Sequence, residues 1–153
     1  DVYKRQVDMC LKMYKRNGFV NYDKDFMVEP CAGVGSFFPL CEELCKHNIY
    51  IDISSPIEQV IKEDFLTMNT KYFISPYCKL HVCGCFPFNQ SVNIWIEFLK
   101  KCITFADSLC LIIPNTISNK EILNVLPQHF HIIENHPAPV FSFISQKYKD
   151  MRV

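Results

Sequence analysis

The feature that most restricts the fold of this chain is the stretch FMVEPCAGVGSF at residues 26–37. A short apolar run ends in an acid and a proline, and a turn with glycines at positions 33 and 35 follows. Apolar residues then recur at the spacing of an amphipathic helix, at Phe37, Leu40, Cys41, Leu44 and Cys45. A strand, a Gly-x-Gly turn and a helix are how an α/β sheet brings a ligand to backbone N–H groups. Since Gly-x-Gly also occurs in purely structural turns, the prediction of a ligand site depends on residues further along the chain.

Strand-like and helix-like patterns alternate through the remaining sequence. Strands are predicted at residues 26–29, 49–53, 78–84 and 109–113, with further candidates at 130–133 and 140–144. Helices are predicted before Gly18, after the glycine turn, after Ser91 and after Ser118, and a short one at residues 56–61. Trp95, in the helix after Ser91, is predicted to lie in the core. This alternation predicts an α/β fold, an open and mostly parallel sheet with helices on both faces.

Composition restricts the class of protein further. The chain has 153 residues, enough for one domain with its own core, and its formal net charge of zero gives no support for a strongly basic nucleic-acid groove. No apolar run is long enough to span a bilayer. The nine cysteines lie mostly inside apolar runs and lack the paired spacing of structural zinc sites, so buried thiols of an intracellular protein are expected.

Two acids follow predicted strands or turns at chemically useful places. Asp52 ends the strand 49–53, 17 positions beyond Gly35, where a Rossmann-like unit places an acceptor for ribose hydroxyls. The same residue could equally cap Ser54 or Ser55 as an ordinary polar strand end. Asp64 stands beside an aromatic residue after a second turn.

These residues and their order resemble class I S-adenosylmethionine-dependent methyltransferases. The string EPCAGVGSF at 29–37 is similar to motif I of the amino-methylating branch that includes N6-adenine DNA methyltransferases, usually E-P-S-A-G-x-G-x-F. The D-F-L segment at 64–66, the G-C-F-P-F segment at 84–88 and the A-D-x-x-x-x-I-I-P-x-T string at 106–116 match further family motifs in order. The resemblance covers residues 7–153 and implies a Rossmann-like methyltransferase domain, truncated at its C-terminal end.

The resemblance implies a set of cofactor-binding residues. Gly33 and Gly35 would let the backbone approach the methionine part of S-adenosylmethionine, and Glu29 would lie near its amino group. Asp52 would accept hydrogen bonds from the ribose, and Asp64 from the adenine amino group. The complete implied set is Glu29, Pro30, Ala32, Gly33, Gly35, Asp52, Ile53, Asp64, Phe65 (beside the adenine ring) and Gly84.

The segment that would bind the target base departs from the family pattern. The amino-methylating motif begins with Asn or Asp and then Pro, whose side-chain and backbone oxygens accept hydrogen bonds from the target amine, and its aromatic residue stacks on the extruded base. Here Cys85 stands at the Asn position and Phe86 at the first Pro position, whereas Pro87 and Phe88 are kept. A thiol is a poor acceptor. Two readings follow: a methyltransferase whose target segment is Cys85 to Phe88, or a catalytically degenerate module that binds the cofactor or a partner.

Two other chemistries are less well matched. C5-cytosine methyltransferases attack with a thiolate that follows a Pro, whereas Cys85 follows Gly84 and has no Lys or Arg beside it in the sequence. A nicotinamide-dependent oxidoreductase would need a third glycine at position 38, which is Phe.

The resemblance also sets expectations for partners and boundaries. The substrate implied is a nucleic-acid base, in DNA more than in RNA, in an intracellular (cytoplasmic or nuclear) setting, with no membrane and no metal. The first six residues resemble a translated adapter remnant and are left out of fold reasoning, so that the domain is expected at residues 7–153 as a fragment.

Overall fold

The computed structural model describes residues 2–87 and 91–136 and shows a four-stranded, all-parallel sheet in the order β2-β1-β3-β4. The strands are β1 (Phe26–Glu29), β2 (His47–Tyr50), β3 (Leu80–Gly84) and β4 (Ser108–Leu111). The α-helices of the described residues are α1 (Val2–Asn17), α2 (Phe38–Leu44), α3 (Val92–Cys102) and α4 (Asn119–Val125). The predicted α/β class is confirmed at this level, as a parallel sheet with helices consistent with a Rossmann-like fold.

Alternation along the central strands places a core on each face of the sheet. In β1 the side chain of Met27 lies in the cluster with α1 and α2, and that of Val28 lies in the cluster with α3 and α4. Successive residues of a strand point to opposite faces, so the two helix pairs cover opposite sides. Trp95 is fully buried in the second cluster, as its helical position predicted.

Three helix ends form as the sequence predicted. Gly18 follows α1 with φ of 65°, the left-handed conformation that a helix stop favours. The Oγ atom of Ser91 accepts the N–H of Ile94 at the start of α3. Ser118 and Glu121 form a reciprocal capping box at the start of α4.

Two predicted elements are wrong. Residues 56–61 form no helix, because the backbone of Ile61 is used by the neighbouring strand: its N–H donates to Tyr50 and its carbonyl accepts from Asp52. Residues 130–133 form no strand: no strand of residues 2–87 and 91–136 pairs with them, and Ile133 is 61% exposed. The strand candidate 140–144 lies outside the described residues.

The other predicted strands are confirmed with shifted bounds. The second begins two residues earlier than expected and ends at Tyr50, with Ile51 in an isolated bridge to Ile61. The helix α1 includes residues 2–6, which were left out of fold reasoning, and Gln6 is buried.

A buried polar network closes the amino edge of the sheet, the edge at which β1, β3 and β4 begin. Asp25 accepts the N–H of Asn21 at 2.8 Å and that of Lys79 at 3.0 Å, and its Oδ2 lies 3.0 Å from Nε2 of His81. The other ring nitrogen of His81 lies 2.7 Å from Oγ of Ser108. Burial raises the pKa of Asp25, but the hydrogen bonds from Asn21, His81 and Lys79 outweigh it and hold the pKa below its ordinary value.

We expect Asp25→Ala to lower the free energy of unfolding by about 2–4 kcal/mol, because buried donors lose their acceptor. The contribution of Asp25 is present above its unfolded pKa of about 4 and is lost as pH falls through the lower folded value. Urea denaturation at neutral and acid pH measures both effects. The exposed neighbour Asp23, changed to Ala, is the control and should alter stability by less than about 0.5 kcal/mol. Equal losses for the two variants would contradict the role of the network.

Candidate ligand site at the carboxyl edge of the sheet

The strand order reverses between β1 and β3. From β1 the chain passes through α2 to β2 on one side, whereas β3 pairs with the other side of β1. In open α/β sheets, ligands bind beyond the carboxyl ends of the strands at such a reversal. Glu29 ends β1 and Gly84 ends β3, so both predicted residues lie at this place.

The glycine turn above β1 has the conformation that its glycines were expected to allow. Gly33 has φ of 52° and Gly35 has φ of 80°, both in the left-handed region. The N–H of Ala32 donates to Ile51 at 2.9 Å, and the N–H of Gly35 donates to Ala32 at 2.8 Å. A Cβ atom on Gly35 would lie 2.8 Å from a ring carbon of Phe38, whereas one on Gly33 would meet nothing within 4 Å.

Asp52 ties the glycine turn to the end of β2. Its Oδ2 accepts the N–H of Gly33 at 2.9 Å, and its Oδ1 accepts the N–H of Ser54 at 2.8 Å. The capping role left open by the sequence is therefore present. It is compatible with the ribose role, because an ionised carboxylate has about four acceptor positions and two are used here.

Ser55 supports the same turn and was not singled out as a site residue from the sequence. Its buried hydroxyl donates to the carbonyl of Gly33 at 2.6 Å and accepts the N–H of Ile57 at 3.2 Å. The two bonds hold the outer side of the turn. No spacing or motif in the sequence distinguishes Ser55 from Ser54, so only the folded chain identifies it.

Glu29 is buried directly below the turn. It is 1% exposed, and its Oε2 has no hydrogen-bond partner among the described residues. Burial, with smaller contributions from the nearby Cys41 and Asp52, raises the pKa of Glu29 to about 10. A Cβ atom on Gly84 would lie 3.6 Å from Cγ of Glu29, so the ends of β1 and β3 are in contact.

The segment after β3 carries the altered target motif. Cys85 is half-buried, and its thiol lies 3.9 Å from the carbonyl oxygen of Phe86. The ring of Phe86 is 1% exposed and packs against Trp95, with ring centroids 5.3 Å apart. Pro87 is half-buried, and Phe88 lies outside the described residues. The ring of Phe86 is therefore part of the core and does not face the edge.

Asp64 and Phe65 lie farther along the chain, against α3. Oδ1 of Asp64 accepts the N–H of Leu66 at 2.9 Å, and its carboxylate acts on the charge of Lys101. The ring of Phe65 is 2% exposed and stacks on Phe98, with centroids 5.4 Å apart. Phe65 is thus a core residue in this structure, and its place beside a ligand ring stays a prediction.

The remaining predicted site residues differ in exposure. Pro30 and Ala32 are buried at the base of the turn, whereas Ile53 is 70% exposed next to Asp52. The structure therefore places Glu29, the glycine turn, Asp52 and Cys85 close to one another. Glu29 and Asp52 act on each other electrostatically, and Glu29 also acts on Cys85.

A depression of about 640 Å³ lies instead at the amino edge, and Phe19, Lys24, Tyr77 and Lys79 are among its lining residues. It is the less suitable candidate for a ligand site, because its two carboxylates, Asp25 and Asp107, already accept hydrogen bonds. Asp25 accepts the hydrogen bonds of the network described above, and Asp107 accepts the N–H of Leu80 at 2.8 Å. The carboxyl edge differs, because it holds a buried carboxyl oxygen that has no partner in the described part of the chain.

Neither protein-family models nor curated proteins give a match to this chain. Within residues 2–87 and 91–136, no helix is both long and apolar enough to cross a membrane. The same residues contain no group of three or more His, Cys, Asp or Glu side chains that could hold a metal ion. All nine cysteines are free thiols, and six of them are buried.

We expect Gly35→Ala to be costlier than Gly33→Ala, although both residues have positive φ. The left-handed backbone costs each variant about 1–2 kcal/mol, and the contact with Phe38 adds about 1–3 kcal/mol at position 35 only. Phe38 cannot move away freely, because its ring lies 3.9 Å from the ring of Tyr50. Chemical denaturation of the two variants measures the difference, and equal losses would show that the contact with Phe38 is not important.

Proposed function

We propose that this chain is a class I S-adenosylmethionine-dependent methyltransferase domain, similar to the enzymes that methylate the exocyclic amine of adenine in nucleic acids. One observation carries the proposal. Glu29 contacts the end of β3 where the strand order reverses, and Asp52 binds the glycine turn and acts electrostatically on Glu29. The proposal extends the sequence resemblance with this geometry, and it includes an intracellular location, which nine free thiols favour.

The residues of the carboxyl edge fit the parts of the cofactor. Asp52 has two acceptor positions left for the ribose hydroxyls after serving Gly33 and Ser54. Ile53 offers an exposed apolar side chain beside it for the adenine ring. Glu29 is the acid for the amino group, and the Cβ-free backbone at Gly33 leaves room for the methionine part. Asp64 is proposed to accept from the adenine amino group.

The role of the chain in the reaction would be to align the methyl donor with the nucleophile. When bound, S-adenosylmethionine supplies a methyl group already activated by its sulfonium. The protein therefore needs to hold the donor and the nucleophile in line and to exclude water. The rigid ladder between β1 and β3 fixes the distance from the glycine turn to the segment 85–87, where the target amine would lie.

The second candidate function is a degenerate module that binds the cofactor or a partner without transferring a methyl group, and Cys85 favours it. The thiol of Cys85 is a weak hydrogen-bond acceptor. Its Sγ atom lies 3.9 Å from the carbonyl oxygen of Phe86, which is a long contact. The target amine would then have one good acceptor, the carbonyl of Phe86, in place of two. With one acceptor the lone pair of the amine is poorly directed at the methyl group.

A nucleophilic role for Cys85 is not supported. Burial, with smaller contributions from Cys10 and Glu29, raises the pKa of the Cys85 thiol to about 12. Attack on a base needs the thiolate, which such surroundings disfavour.

We expect the chain to bind S-adenosylmethionine or its demethylated product, and Asp52→Asn to weaken that binding at least about tenfold, because the amide has fewer acceptor positions and no charge. Isothermal titration calorimetry measures both affinities. Glu58→Gln, at an exposed position in the following loop, is the matched control and should bind like the parent chain. No binding by the parent chain would overturn the proposed function.

A methyl-transfer assay on adenine-containing DNA separates the two candidate functions. We expect the parent chain to transfer slowly or not at all, and Cys85→Asn to raise the rate by about tenfold or more, since the amide oxygen restores the second acceptor. Cys78→Asn places the same amide outside the site and is the control. Equal transfer by the parent chain and Cys85→Asn would show that the thiol is no obstacle. Binding without transfer in both would favour the non-catalytic module.

A further inference from the structure

Among the described residues, the buried carboxyl group of Glu29 at this edge has an oxygen without a hydrogen-bond partner. Its side chain is 1% exposed, and Oε2 makes no hydrogen bond within the described residues. By contrast, the carboxylates of Asp52 and Asp25 accept two or more hydrogen bonds each. An ionised carboxylate in this position would be costly, because burial removes water and nothing replaces it.

Among the described residues, the groups that act on Glu29 are an acid and a thiol, and none of them is a cation. From α2 the thiol of Cys41 acts on it, and from the end of β2 the carboxylate of Asp52 does. Glu29 in turn acts on groups of every neighbouring element: Cys31 in the glycine turn, Tyr50 in β2, Cys83 in β3 and Cys85 after β3. Each of these carboxyl, thiol and phenol groups is neutral when protonated and negatively charged when deprotonated. They therefore oppose a negative charge on Glu29.

We propose that Glu29 carries a proton in the free protein and exchanges it for the ammonium group of an incoming ligand. The proposed function enters this exchange only through the identity of the ligand: the ammonium group belongs to the amino-acid end of S-adenosylmethionine. The balance is simple. The O–H bond of the Glu29 carboxyl group breaks, its proton passes to solvent, and the carboxylate pairs with the ammonium that enters.

This exchange gives Glu29 a role in selecting the ligand. A ligand with an ammonium group replaces the proton by a fixed cation and gains a charge-assisted hydrogen bond in a site shielded from water. A nucleoside without the amino-acid part, such as 5′-methylthioadenosine, finds a neutral carboxyl group and releases no proton. Affinity for the first ligand should therefore rise with pH, and affinity for the second should not. The raised pKa of Glu29 agrees with the geometry.

The protonation itself is tested without any ligand. Between the ordinary pKa of Glu, about 4.3, and the raised folded value, the folded protein holds one proton more than the unfolded chain, so stability falls as pH rises. Relative to Glu29→Gln, a neutral residue of the same shape, the unfolding equilibrium constant of the parent chain should increase by up to about tenfold per pH unit from pH 5 to 8. Urea denaturation of both chains measures it. Parallel stability curves would overturn the proposal.

The exchange is tested by calorimetry on the parent chain, which does not depend on the folding of any variant. Binding of S-adenosylhomocysteine, which keeps the ammonium group, is measured at about pH 6.5 in two buffers of different ionisation enthalpy. We expect about one proton released for this ligand and none for 5′-methylthioadenosine, and none for either ligand with Glu29→Gln. Glu58→Gln should release the proton as the parent chain does.

The outcomes separate the exchange from the proposed function. Binding of S-adenosylhomocysteine without proton release overturns the exchange and leaves the proposed function standing. Absence of binding by either ligand overturns the proposed function and, with it, the exchange. Proton release that persists in Glu29→Gln would assign the proton to another group and overturn the role of Glu29.

Discussion

The site depends on the attachment of the glycine turn to the second strand. Two backbone groups of the turn, the N–H of Ala32 and the N–H of Gly33, donate to Ile51 and to the carboxylate of Asp52 at 2.9 Å each. These bonds extend the parallel ladder beyond β1 into the turn. A loop with two positive-φ glycines would otherwise have many conformations, and the ladder selects the one in which its N–H groups and the acid lie together.

The two edges of the sheet use their acids differently. At the amino edge Asp25 is buried and fully hydrogen-bonded, which stabilises the starts of β1 and β3. At the carboxyl edge Glu29 is equally buried, yet one of its oxygens has no partner within the described residues. A protein gains nothing in stability from such a group. The contrast therefore favours the carboxyl edge as the place where this domain meets a ligand, and it agrees with the reversal of the strand order.

Elements defined by local patterns could be predicted, and elements defined by distant partners could not. The first strand, the turn and the helix N-caps at Ser91 and Ser118 follow from periodicity and from residues a few positions apart. Residues 56–61 carry an apolar pattern short enough for either a helix or an extended segment. The pairing of Ile61 with Ile51, ten positions away, decides for the extended form. The same reasoning explains residues 130–133, whose apolar run has no strand beside it in the described part of the chain.

For the candidate site, the sequence by itself determined which chemical groups stand at the strand ends: glycines where φ must be positive, and acids at positions 29, 52 and 64. Those choices are local, because backbone sterics and the length of a strand fix them. Only the tertiary structure decided their state, since hydrogen-bond partners and burial come from other elements. It gave Asp52 two backbone donors, buried the rings of Phe65 and Phe86 in the core, and buried Glu29 where no cation of the described residues acts on it. Burial and pairing depend on the whole fold, and a sequence pattern does not contain them.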